Sequence, residues 1–228
     1  MIKPIITIVV FALCADLSRA VGGFRQRQHE ESYVTLEITN LSYQQPFSEF
    51  FVMSHNDRID PLFTLGQEAT ADLARLAEDG NSQPLVNSYS GLQGTLYVGT
   101  HNQNTPYRGG EKTLITIPIN SNYPYITIAS MAVNTNDCFV ALNGIRVRTG
   151  DIINAPGYDA GSEENDELCS SIPGPACTST DNRNLAPGNG EGFVHVHRGF
   201  FGINEGGLTA QGYDWRNPMM RVEVLGFS

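Results

Sequence analysis

Positive charge is scarce in this chain. Its 228 residues carry 14 Lys and Arg against 24 Asp and Glu, a formal net charge of −10, and Lys3 and Lys112 are the only lysines. Nucleic-acid affinity comes largely from basic side chains that neutralise phosphates, so no nucleic-acid partner is expected. Anionic lipid surfaces are disfavoured on the same ground. Beyond residue 15 no apolar run approaches the roughly 20 residues a membrane helix needs. Cysteine is sparse, at four, and no CxxC spacing offers a zinc site. The GxSxG elbow, HExxH, the P-loop and the dinucleotide glycine fingerprint are absent, which removes the commonest catalytic signatures. Gly188-Asn189-Gly190-Glu191-Gly192 precedes a strand pattern and not a helix, so it reads as a turn and not as a phosphate cradle.

What is present begins at the N-terminus. Met1-Ile2-Lys3 gives a positive start, Pro4 to Ala15 is almost continuously apolar, and Ser18-Arg19-Ala20 places small residues before a cut. This is the pattern of a secretory signal over residues 1–20, followed by a linker over 21–31 and one domain over 32–228. Removing the signal takes away Lys3, Arg19 and Asp16, which leaves 12 basic and 23 acidic residues and a net charge of −11. Cys14 goes with it. Cys169 and Cys177 flank Ser-Ser-Ile-Pro-Gly-Pro-Ala and are expected to close a small disulfide loop in an oxidising compartment. Cys138, inside an apolar run, is expected to be a buried thiol.

Period-two patterns dominate the rest. Tyr33–Thr39 alternates, as a half-buried strand should. Further strand patterns cover 50–53, 95–99, 114–119, 125–133, 139–147, 193–197 and 221–225. Only Glu68–Asp79 reads as helix, with Ala69, Leu73, Leu76 and Ala77 on one face and Gly80 as its stop. About eight strands and one short helix predict an all-β antiparallel sandwich. Asn40-Leu41-Ser42 is a lone glycosylation sequon. Tyr213, Trp215 and Arg216 offer either a contact patch or, for the tryptophan, a core residue.

The acidic residues are concentrated. Asp159, Glu163, Glu164, Asp166 and Glu167 put five carboxylates within nine residues, in a stretch that also holds Gly157 and Gly161. Such a cluster repels itself unless it is solvated or neutralised by a cation, and calcium takes about 6–8 oxygen ligands, often from irregular loops. Asp137 lies on the turn between two strand patterns, and the acidic loop follows the second of them. No EF-hand spacing occurs.

A family resemblance rests on Ile128-Ala129-Ser130-Met131, Asn136-Asp137, Ala155-Pro156-Gly157-Tyr158-Asp159-Ala160-Gly161-Ser162-Glu163 and Gly192-Phe193-Val194-His195-Val196-His197-Arg198-Gly199, in that order. With Leu76–Asn81 and Tyr213–Pro218 added, the chain resembles the stand-alone members of the spondin N-terminal domain family from about Thr35 to Val224. The resemblance implies a C2-like β-sandwich, an extracellular setting, calcium at one end of the sandwich, and roles in matrix or cell adhesion. It carries the calcium ligands onto Asp137, Asp159 and Glu163, where better-known animal members have Asp at the position of Glu163. Ser162, backbone carbonyls and Asp166 are further candidates. The expected partner is an extracellular protein or glycan surface.

Two other chemistries stay open. His195 and His197 lie two apart on a predicted strand, so both point to one face. With His55 or His101 as a third ligand they could hold a transition metal with a bound water, as in a metal-dependent extracellular hydrolase or oxygen-using enzyme. Glu191 and Asp214 could form a glycosidase-type carboxylate pair.

Overall fold

The computed structural model describes residues 32–102, 105–177, 190–203 and 208–228; the expected signal segment, the linker and Cys14 lie outside the described residues. In chain order the strands are β1 (Ser32–Asn40), β2 (Phe50–His55), β3 (Thr95–His101), β4 (Lys112–Ile119), β5 (Tyr125–Met131), β6 (Cys138–Arg146), β7 (Ile152–Ala155), β8 (Gly157–Asp159), β9 (His195–Val196) and β10 (Met220–Phe227). The helices are α1 (Ala71–Asp79), α2 (Gln83–Tyr89) and α3 (Ala210–Tyr213). The strands form two antiparallel sheets, ordered β4-β1-β10-β7 and β3-β2-β5-β6-β8-β9. The protein is an all-β sandwich, as the strand patterns predicted.

The two sheets differ in how many faces they bury. In β1, Val34, Leu36 and Ile38 turn inward while Thr35 and Glu37 face outward, and β4 and β10 alternate likewise through Ile115, Ile117, Val222 and Val224. The outer face of this sheet carries the Thr35–Thr116 hydrogen bond and the Lys112–Glu37 ion pair. In the other sheet, Phe50, Val52, Ile126, Ile128, Val140 and Leu142 enter the core between the sheets. Their neighbours Phe51, Met53, Ala129, Phe139 and Ala141 point the opposite way, into a second core with Leu73, Leu76, Ala77 and Leu85 of α1 and α2. Burial on both faces explains why β2, β5 and β6 read as unbroken apolar runs.

Helix α1 starts at an N-cap, Thr70, whose hydroxyl accepts the Leu73 N–H, and stops at Gly80 in the left-handed region. That is three residues later than the predicted start. Helices α2 and α3 and strands β7 and β8 were not foreseen. Strands β7 and β8 are short and separated by Pro156, which reads as loop in the sequence. They are nonetheless decisive, because the chain leaves β6, pairs in the opposite sheet as β7 against β10, and crosses back at Pro156 to pair with β6 as β8.

Cys169 and Cys177 are disulfide-bonded, and Cys138 is a buried free thiol. Trp215 belongs to the main core, 6% exposed. The sequon asparagine is closed to glycosylation in this fold: Asn40 is buried, and its amide donates to the carbonyls of Gln45 and Tyr107.

Candidate metal centre

Strand pairing assembles the acidic end of the sandwich. β8 runs antiparallel to β6 with Asp159 opposite Cys138, so Asp137, one residue ahead of β6, lies at the same end as Asp159. The Ala160 N–H donates to the Asp137 carbonyl at 3.1 Å. On the other side of β8, Asp159 stands opposite His195 of β9. Glycine permits the last approach. Gly161 has φ of +67°, and a Cβ there would lie 2.4 Å from the Phe193 carbonyl oxygen, while one on Gly190 would lie 2.2 Å from the Gly161 carbonyl oxygen. The 190–193 segment thereby packs on the acidic loop, the Gly192 N–H donating to the Gly161 carbonyl at 2.8 Å. That contact carries Glu191 to the site.

Asp137 is fully buried. Its Oδ2 accepts from the backbone of Ser162 at 2.8 Å, the backbone of Glu163 at 3.0 Å and the Ser162 hydroxyl at 3.2 Å. Among the described residues its Oδ1 has no hydrogen-bond partner. Burial, and after it the neighbouring Asp159 charge, hold this carboxyl well above the usual range. Asp159 is equally buried; its Oδ1 accepts from the Gly161 N–H at 2.8 Å and its Oδ2 from the Asn165 amide at 2.7 Å. Burial raises its pKa too, and the Asn165 hydrogen bond only partly opposes that.

The Asn165 amide nitrogen also donates to Glu191 Oε1, at 3.0 Å, and so holds two carboxylates side by side. His195 Nε2 stands 3.5 Å from Asp159 Oδ1. Ligand atoms of Asp159, Glu191 and His195 all lie within 4.8 Å of one another, a spacing and donor set that could hold a metal ion.

His197 shares the face of His195, as the spacing predicted, with Nε2 3.7 Å from Asp159 Oδ2. Its hydrogen bonds give it a different task. Nδ1 accepts the Gly199 N–H at 3.0 Å, so Nε2 carries the proton and donates to Asn165 Oδ1 at 3.0 Å. Burial lowers its pKa to about 3, with His195 and Arg198 adding to the effect. A neutral ring with both nitrogens engaged orients Asn165 and has no lone pair left for a metal. The expected third imidazoles are elsewhere. His55 bonds the Asn56 carbonyl and Thr127 at the far end of β5, about 20 Å along the strand. His101, on β3, bonds Thr113 of β4 and lies five strand spacings from β9, or about 24 Å.

The other predicted residues are placed as follows. Glu163 is buried beside Asp137, and Ser162 donates to that residue. Asp166 accepts from the Asn136 amide, the Leu168 N–H and the Ser171 hydroxyl, which commits both its oxygens to the loop. Asp214 accepts the Phe200 N–H and pairs with Arg216, while Glu191 shares Asn165 with Asp159. Each carboxylate of the supposed glycosidase pair is thus held by different partners. Asn165 and Glu191 join this site without being expected there from the sequence. The one signal for both was the glycine frame around 161 and 190–192.

No protein-family model matches the chain, and no curated protein matches it.

Proposed function

We propose that the protein is a secreted, spondin-like adhesion or surface-recognition module that binds calcium at this end of the sandwich and has no catalytic role. The observation that carries the reading is the buried Asp137–Asp159 pair. Two neighbouring carboxylates out of water, one of them with an oxygen that accepts no hydrogen bond from the described residues, are costly without a counter-charge. A hard divalent cation supplies that charge and takes oxygen ligands. Asp137, Asp159 and Glu163 supply side-chain oxygens, with Ser162 and backbone carbonyls to complete the shell; Asp166, whose oxygens are committed to the loop, drops out of the ligand set.

Apolar side chains favour a recognition role. Phe193, Val196, Phe201 and Ile203 are exposed on the segments flanking His195 and His197, and Arg198 lies over the Phe201 ring at 5.2 Å. Aromatic and Arg side chains are enriched where surfaces bind partners, so a calcium-ordered loop beside them suits an extracellular protein or glycan surface. The disulfide and the N-terminal signal pattern fit export.

Calorimetry of the chelator-treated full chain with calcium tests the proposal. One calcium per chain is expected, with affinity reduced at least tenfold by Asp137→Asn and by Asp159→Ala. Absence of calcium heat in the native protein overturns it.

A further inference from the structure

We propose that Asp159, Glu191 and His195 form a second cation site, for a borderline divalent ion such as zinc, which shares Asp159 with the calcium ligands. The site is argued from its own geometry and stands whether or not calcium binds at Asp137.

The imidazole carries the argument. His195 Nδ1 lies 3.1 Å from the Val196 carbonyl oxygen, which only accepts, so Nδ1 bears the proton. The other ring nitrogen, Nε2, points at Asp159 Oδ1, 3.5 Å away. A metal ion placed between these two atoms takes the position of an Nε2 proton and bonds to both. An Nδ1–H held by a backbone carbonyl is also how metal-ligating histidines are commonly oriented. The His195–Asp159 spacing fits: ligands about 2.1 Å from a tetrahedral ion stand about 3.4 Å apart, and Glu191 lies within 4.8 Å of both.

Support around the three ligands is already built. Asn165 donates to both carboxylates, His197 donates to Asn165, and the Gly199 N–H donates to His197. Each link fixes the next, so the ligands are held by residues that need not touch the ion. Glu191 is exposed and the His195 side chain is 24% exposed, so the ion has an entry path and room for water as a fourth ligand. An imidazole among the donors separates this site from calcium, which takes oxygen, and suits zinc and its first-row neighbours.

The test is calorimetry of the chelator-treated full chain with zinc, paired with cobalt(II) substitution read by visible absorption. One zinc per chain and a tetrahedral cobalt spectrum are expected. His195→Ala and Glu191→Gln are expected to weaken zinc at least tenfold, with calcium heat in His195→Ala unchanged; Asp137→Asn is expected to leave zinc affinity within threefold. Failure of the native chain to take up zinc at micromolar concentration overturns the site and means that His195 and Asp159 form only an ion pair. Zinc affinity unchanged in a His195→Ala protein that keeps the native circular dichroism overturns it as well. Zinc binding without calcium binding sustains this site and refutes the calcium reading, and the converse result refutes this site alone.

Discussion

The acidic stretch 159–167 is treated differently at its two ends. Toward residue 167 the carboxylates are consumed by the protein itself. Glu167 is buried and accepts the N–H groups of Phe201 and Ile203 at 2.7 and 3.0 Å, and Asp166 accepts three donors from the loop and the preceding turn. Toward residue 159 the carboxylates meet other carboxylates. Asp159 and Glu191 lie near Asp137; the charges of both raise the Asp137 pKa, and that of Glu191 raises the Asp159 pKa, each adding to burial. Acid is denser toward residue 167, with four carboxylates in 163–167 against one in 159–162, so density along the chain does not decide which end collects like charge. Both ends accept hydrogen bonds; what distinguishes the cation site is the like charge that crowds its oxygens once water is excluded.

The largest expected effect comes from breaking the satisfied end. Glu167→Ala strips two backbone N–H groups of a buried, charged acceptor and should cost about 3 kcal/mol in urea unfolding, equally with and without calcium. A calcium-dependent loss would merge the two ends and erase the contrast.

At the unsatisfied end the sign reverses. In the cation-free protein Asp137→Asn removes like-charge repulsion and should raise stability by about 1 kcal/mol, while it abolishes the stabilisation that calcium gives the native chain. The pH dependence follows from the same groups. Asp137 and Asp159 have folded pKa values above their unfolded ones, so the cation-free folded state binds more protons, and stability falls as pH rises from about 4 upward. His197 acts oppositely. Its folded pKa is lowered to about 3, so its contribution is complete above about 6.5 and is lost as pH falls toward 3. Unfolding midpoints across pH in chelator should therefore show both slopes in the native chain, and a shallower fall with rising pH in Asp137→Asn, where only Asp159 still contributes to it.

The smallest effect belongs to Glu164, the exposed member of the stretch. Glu164→Gln should shift neither the unfolding midpoint nor the calcium heat beyond experimental error. A measurable change in calcium affinity would draw this side chain into the site.

Much of the fold was legible in the residues. The alternation of β1, β4 and β10 was plain because one face of their sheet meets water. The unbroken runs of β2, β5 and β6 marked strands without revealing that helices cover their second face. Asp137 and Asp159 stood out as carboxylates flanking a strand pattern. Asn165 did not, because an amide that bridges two carboxylates looks like any loop asparagine until its partners arrive. The His195–His197 pair was placed on one face correctly, yet its two members differ, since one ring is fixed by Gly199 and Asn165 and the other by Val196.

By itself the sequence determined the sandwich class, the disulfide loop and the concentration of acid near residue 160, because each depends on local periodicity, spacing or composition. Only tertiary structure decided which acids share a site. Asp137, Asp159 and Glu191 are far apart in the chain, and they converge through the return of β7 and β8 across the sandwich and the close glycine contact at 161 and 190. Whether a carboxylate oxygen meets an N–H or another carboxylate is settled by those long-range pairings, which no short window of sequence contains.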